Sequence, residues 1–217
     1  MEFTEAEGIL KCPAWREAGW QKHGFGTRRS SPFDALTLRQ VHSAGVCVAG
    51  SFGDREMEGD ALVTAEPDRA IGVRTADCVP ILLLDPRTRA IAAVHAGWRG
   101  TVALVASNAI EKMRLRFGSD PRYLEAAIGP CIRACCYEVS EDVAARFSAS
   151  SVRTCASARP HLDLAAANGE QMIHSGLTAE RIFDCGLCTF CNPGLFYSYR
   201  REPDDPGRML SAICRIG

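Results

Sequence analysis

The chain has almost no surplus charge of either sign. Its 217 residues carry 25 Lys and Arg against 26 Asp and Glu, a formal net charge of -1. No basic excess points to nucleic acid, and no charged tail points to a membrane surface. Long hydrophobic runs are also missing, since no stretch approaches the ~20 apolar residues of a spanning helix. The opening MEFTEAEGILKC has acids where an export signal would need a basic and then an apolar region. No internal repeat, low-complexity tract or linker interrupts the chain, and its length suits one substantial domain, expected over residues 1–217. GxSxG, Walker A and GxGxxG are all absent, which removes support for serine hydrolase, P-loop and dinucleotide-binding readings.

Cysteine, by contrast, is plentiful: there are eleven, an odd number. Without an export signal, that usage reads as reduced thiols in a cytoplasm and leaves metal binding or thiol chemistry open. Cys185, Cys188 and Cys191 form CxxCxxC, but Asn192-Pro193 follows where a ferredoxin-type run needs a further Cys before Pro. Cys214 is one candidate for a fourth ligand. The segment GPCIRACCYEV (129–139) has the wrong Cys spacing for a zinc nucleobase deaminase, and His-x-Glu occurs nowhere in the chain.

Periodicity predicts strands over 60–65 and 70–76 around a turn at Glu66-Pro67-Asp68, and over 79–85 and 90–96 around Pro86-Arg87-Thr88-Arg89. Further strands are expected over 124–129, 195–201 and 209–216. Val102, Val105, Ala109, Met113 and Phe117 recur at helical spacing and Gly118 follows, which predicts a helix from Thr101 to Phe117. Ser140 is placed to cap one helix, and Asp163 another that runs to His174 and ends at Gly176. The expected fold class is α/β (α+β): a single domain with a mixed, largely antiparallel sheet flanked by helices.

The hairpin carries the chemistry. A two-residue turn inside Asp85-Pro86-Arg87-Thr88 would put Cys78 directly opposite His95, with Cβ atoms roughly 4.5–5.5 Å apart on one face. Proline suits type I turns rather than the primed types of two-residue hairpins, so a register one or two residues away stays open. His95 begins HAGWRG, where Gly97 and Gly100 let backbone come close to a ligand before a helix N-terminus. Arg99, Arg74 and Arg200 are candidates for binding phosphate or another anion. His42 with Cys78 and His95 makes a possible trio of zinc ligands, leaving a fourth position for water or substrate. A different reading makes Cys78 a nucleophile and His95 its base. Asp77 is a candidate acid or base, unless its carboxylate serves the backbone at the start of the strand.

The set QVHSAGV (40–46), GDALVT (59–64), TADCVPILL (75–83), VHAGWRG (94–100), IGPCI (128–132), CCYEV (135–139) and LFYSYRR (195–201), with HGFGTR (23–28) and GRMLSAI (207–213), resembles the laccase-domain family. Its members are also called multicopper polyphenol oxidases or peptidoglycan-editing factors. The resemblance implies a fold similar to a bacterial toxin's cysteine-hydrolase domain and a zinc site at His42, Cys78 and His95. It also implies purine nucleoside phosphorolysis of adenosine, inosine, guanosine or methylthioadenosine, with adenosine deamination beside it. Copper-dependent phenol oxidation and a Cys–His hydrolase acting on a cell-wall precursor are the alternatives. Five scattered histidines are few for a multicopper enzyme. The segment Arg29–Thr37 is shorter than the family's usual loop near the site. The expected partners are a purine nucleoside and phosphate, with no nucleic acid and no membrane; no sequence feature bears on oligomeric state.

Overall fold

The computed structural model of the chain describes residues 3–50, 57–154, 159–204 and 207–217. In chain order the strands and helices are β1 (Thr4–Ala6), β2 (Ile9–Lys11), β3 (Gln21–Gly26), β4 (Val46–Val48), β5 (Ala61–Thr64), β6 (Ala70–Thr75), β7 (Val79–Leu84), β8 (Ile91–Ala96), α1 (Trp98–Val102) and α2 (Val105–Phe117). After them come β9 (Glu125–Ile128), α3 (Glu141–Ala144), β10 (Val152–Thr154), β11 (Pro160–Leu162), α4 (Leu164–His174), β12 (Ile182–Asp184) and β13 (Met209–Arg215). Among the described residues no helix is long and apolar enough to cross a membrane.

The expected mixed, largely antiparallel arrangement is present, but as two sheets plus a small ribbon rather than one sheet. One sheet has the order β12-β9-β7-β8-β5-β4, the other β1-β2-β3-β13-β6, and β10 pairs with β11. Only β12–β9 and β4–β5 pair in parallel among these ladders. The reason for two sheets lies in β7. Ile81 and Leu83 face a core shared with Ala106, Ala109, Ile110 and Met113 of α2. Leu82 and Leu84 face a second core shared with Phe25, Ile71, Val73 and Ile213 of the five-stranded sheet. A strand apolar on both faces needs a cover on each, and the continuous run VPILLL supplies that signal. Helices α2 and α4 cover one face of the six-stranded sheet; the five-stranded sheet covers the other.

Three expectations change. β5 and β6 are consecutive in sequence but lie in different sheets, so Glu66-Pro67-Asp68 is a crossing between layers and not a hairpin turn. The helix expected from Thr101 is two helices, α1 and α2, broken at Leu104, whose φ is 64°. The break is held by α4: Asn168 Nδ2 donates to Thr101 Oγ1 (3.0 Å) and Gln171 Nε2 to the Thr101 carbonyl (2.9 Å). Residues 195–201 form no strand, and β13 pairs instead with β3 and β6. The helix expected after Asp163 is present as α4, with Asp163 Oδ1 accepting the Ala166 N–H at 3.0 Å. Ser140 precedes α3 but makes no side-chain cap.

Candidate active site

The site begins with the register of three neighbouring strands. β7 and β8 pair Val79 with Ala96 and Pro80 with His95. The turn is longer than two residues: Arg89 N–H donates to the Asp85 carbonyl and Asp85 N–H to the Ala90 carbonyl (both 2.8 Å), with Arg89 at φ 57°. Cys78 therefore lies across from Gly97, two residues from the expected register. A shift of two keeps the same face of the sheet, so thiol and imidazole still meet, now diagonally. Gly97 is what allows the approach. A Cβ there would lie 2.9 Å from Cys78 Sγ and 3.2 Å from His42 Cδ2.

On the other side of β8, β5 delivers Asp60. His95 N–H donates to the Asp60 carbonyl at 2.7 Å, and Asp60 Oδ1 lies 2.7 Å from His95 Nδ1. The same buried carboxylate accepts the His42 N–H (3.0 Å), the Ser43 N–H (2.5 Å) and the Ser43 hydroxyl (2.8 Å). His42 sits at a bend before β4 with φ 58°, a left-handed conformation that its N–H bond to Asp60 helps to hold. The two imidazoles meet edge-on, centroids 4.9 Å apart. Nitrogen and sulfur atoms of His42, Cys78 and His95 all fall within 4.8 Å of one another.

Charge follows from these bonds. Burial alone would raise the Asp60 pKa, but the bonds from His95 and Ser43 outweigh it and bring it down to about 2. Burial would likewise raise the Cys78 thiol, yet the His42 and His95 hydrogen bonds pull it below its ordinary value. His95 moves the opposite way: burial would lower it, and the bonds to Asp60 and Cys78 raise it. The donor set fits a metal ion. Asp60 occupies Nδ1 of His95 and leaves Nε2 for coordination, the carboxylate–histidine arrangement that orients metal ligands. The sulfur is favoured as thiolate, and three protein donors leave a position free.

The trio opens into a cavity of about 700 Å3. Arg74, Arg99 and Arg200 line it, as does Arg208, which sequence reasoning did not single out. Trp98, Tyr137, Ile132, Leu164 and Tyr199 supply apolar and aromatic wall. Arg74 is steadied through its backbone, which exchanges two 2.8 Å hydrogen bonds with the Gln40 side chain. Helix α1 begins at Trp98 rather than Thr101 and has only five residues, and the positive charge lining the cavity is that of guanidinium groups.

Asp77 also borders the cavity, but its carboxylate is engaged. Oδ1 accepts the Thr189 hydroxyl (2.6 Å), and Oδ2 accepts the Ser198 hydroxyl (3.0 Å) and the Arg200 N–H (2.7 Å). This is why residues 195–201 leave the sheet: their polar atoms converge on Asp77 instead of a neighbouring strand. Asp60 was the other residue missed in sequence. Its signal was an acid one position before the strand ALVT, whose first three residues are apolar, inside GDALVT. The three cysteines of CxxCxxC do not converge as a set. Cys188 and Cys191 meet Cys135 and Cys136, while Cys185 stands apart and Cys214 is buried in β13.

The fold is thus two β sheets with helices, carrying a His–Cys–His trio that could hold a metal ion beside an arginine-lined cavity. The chain matches over residues 25–216 the family described as multi-copper polyphenol oxidoreductase laccase, and it belongs to that family. It is 41% identical over 183 residues to the purine nucleoside phosphorylase of Deinococcus radiodurans, covering 83% of this chain and 70% of that protein. Adenosine deaminase RL5 of an unknown prokaryotic organism is 37% identical, over 84% of this chain and 75% of its own length. Among solved structures, YfiH of Bacillus licheniformis superposes with a TM-score of 0.88 at 26% identity, covering 98% of each chain. YlmD of Geobacillus stearothermophilus gives 0.86 at 25%, covering 99% of this chain and 98% of that one.

Proposed function

We propose that this chain is a zinc-dependent purine nucleoside phosphorylase with an adenosine deaminase side activity, working in the cytoplasm on adenosine, inosine, guanosine or methylthioadenosine. The observation that carries the reading is one cavity holding both an open three-donor centre and four arginines. His42, Cys78 and His95 would hold the zinc. Bound there, the metal supplies Lewis acidity and an acidified water.

The residues of the chain account for the rest. Phosphorolysis needs phosphate held against the anomeric carbon of the ribose as the base departs, with its charge neutralised. Arg74, Arg99 and Arg200 face the cavity from three separate segments and can grip phosphate oxygens in forked pairs. Trp98, Tyr137 and Tyr199 offer flat apolar surface for a purine and exclude water from the reacting bond. Asp77 acts as a positioning residue: it ties Arg200 and the 189–200 segment to the floor of the site. The Asp60–His95 bond keeps the imidazole Nε2 turned toward the centre.

Incubating metal-analysed protein with adenosine, with and without phosphate, tests the reading. Adenine and ribose 1-phosphate appearing only with phosphate support it. Inosine produced in either condition reports the deaminase activity alone. No turnover by zinc-loaded protein would remove the proposal.

A second reading rests on the lowered Cys78 thiol beside a raised His95, the pattern of a Cys–His hydrolase. It requires a free thiolate. Rapid alkylation of Cys78 in metal-loaded protein, with hydrolysis of a cell-wall amide that survives chelation, would favour it. A copper phenol oxidase would need copper in the same two-imidazole, one-thiolate set; metal content and phenol turnover decide that case.

A further inference from the structure

A second group of metal-ligating side chains lies outside that cavity. Sγ atoms of Cys135, Cys136, Cys188 and Cys191 all sit within 4.8 Å of one another. They come from two loops that are already stitched together. The Cys131 N–H donates to the Leu187 carbonyl at 3.3 Å, and the Thr189 N–H to the Cys131 carbonyl at 3.0 Å. Residues 133–137 then turn back on themselves, with the Cys136 and Tyr137 N–H groups both donating to the Arg133 carbonyl (2.8 and 2.9 Å). Asn192 Nδ2 closes the other loop on the Cys188 carbonyl at 2.8 Å.

We propose that these four cysteines form a closed, structural zinc site, separate from the His42–Cys78–His95 centre. Zinc–sulfur bonds of about 2.3 Å arranged tetrahedrally place neighbouring sulfurs about 3.8 Å apart. Cys135 and Cys191 are at 3.7 Å and Cys136 and Cys191 at 3.3 Å. Neither pair is near the about 2.05 Å of a disulfide, and one disulfide would leave two of the four sulfurs without a partner. On binding, zinc forms four Zn–S bonds and the thiol protons pass to solvent. Four protein donors leave no open position, so the ion is structural and not catalytic.

Its consequence lies next door. Tyr137 follows Cys136 directly and lines the cavity, and Thr189, next to Cys188, donates to Asp77. Zinc at the four cysteines pins both walls at once.

Purified wild-type protein, kept reduced, is expected to contain two zinc ions per chain, and the double variant H42A/H95A one. Cobalt in that variant should show the intense thiolate charge-transfer band of a four-sulfur site. In zinc-loaded wild type, iodoacetamide should spare Cys135, Cys136, Cys188 and Cys191 until a chelator is added, as mapped by peptide mass spectrometry. Immediate alkylation of those four in the zinc-loaded protein would overturn the proposal, as would a Cys136–Cys191 disulfide or bound iron in place of zinc. A folded H42A/H95A protein without zinc would overturn it too. Loss of zinc from the wild-type His–Cys–His centre alone would instead count against the proposed function and leave this site standing.

Discussion

Asp60 joins His42, Ser43 and His95 through a single buried carboxylate. Replacing it with Asn keeps the size but removes the charge and puts an N–H2 group where donors already point. Metal ligands that lose such an oxygen partner lose affinity by about 10–100-fold. On the proposed function, Asp60→Asn is therefore expected to release the metal at correspondingly lower chelator concentration while the circular dichroism stays native. Unchanged zinc retention would show that His95 is oriented by the sheet alone. Gly97 poses a steric version of the question. Its φ of -74° suits any residue, so alanine would fold there without backbone strain. The added Cβ, 2.9 Å from Cys78 Sγ, would push the sulfur or the His42 ring away. On the proposed function, Gly97→Ala should lower metal content and turnover together, with thermal stability little changed; full metal occupancy would contradict it.

Among elements, α4 makes the clearest case for an energy that can be read locally. Asp163 takes the Ala166 N–H at its N-terminus, and side-chain caps of this kind contribute about 1 kcal/mol. Asp163→Ala should lower stability by about that amount in urea denaturation. A larger loss would mean that α4 also carries the α1–α2 break through Asn168 and Gln171. That break, and the other elements that differed from expectation, share a physical cause. The cap of α4 was legible because Asp163 acts on its own helix. The left-handed Leu104 was not, because the groups that hold it lie more than sixty residues away on α4. Residues 195–201 read as a strand from their aromatic run, yet Asp77 draws their polar atoms out of any ladder. In the β7–β8 hairpin, the strands were legible as two apolar runs around a turn, and the shared face of Cys78 and His95 from their cross-strand placement. The register was not, because it depends on the left-handed Arg89 and on Asp85, which takes the Arg87 N–H (2.9 Å) and the Thr88 hydroxyl (2.8 Å). Cys78 and His95 still meet despite the error because a two-residue slip does not change face.

At the scale of the whole molecule, stability depends on how the N-terminal segment is fastened to the five-stranded sheet. His23 on β3 does this from a buried position. Its Nε2 accepts the Cys12 N–H at 2.9 Å, and Nδ1 lies 2.9 Å from Gln21 Oε1. Gln21 in turn donates to the Trp15 carbonyl, and Trp15 stacks edge-on with the imidazole. A ring nitrogen that accepts from backbone must be unprotonated, so the folded state needs neutral His23. Burial first, and then nearby Lys11, lowers its pKa from 6.5 to about 4. The unfolded chain still binds a proton near 6.5. Between about pH 6.5 and about pH 4 it therefore holds more protons than the native state, and stability falls as pH falls through that window. The slope is at most about 1.4 kcal/mol per pH unit, or roughly 3 kcal/mol across the whole window. His23→Gln removes the titrating group and leaves a neutral amide in its place. The variant is expected to be less stable than wild type near neutrality and to lose this acid sensitivity, so that the two urea-denaturation curves converge as pH drops from about 7 to about 5. Other groups titrate in both proteins and cancel in the difference. A constant gap between wild type and variant across that range would show that His23 is not what makes the fold acid-labile.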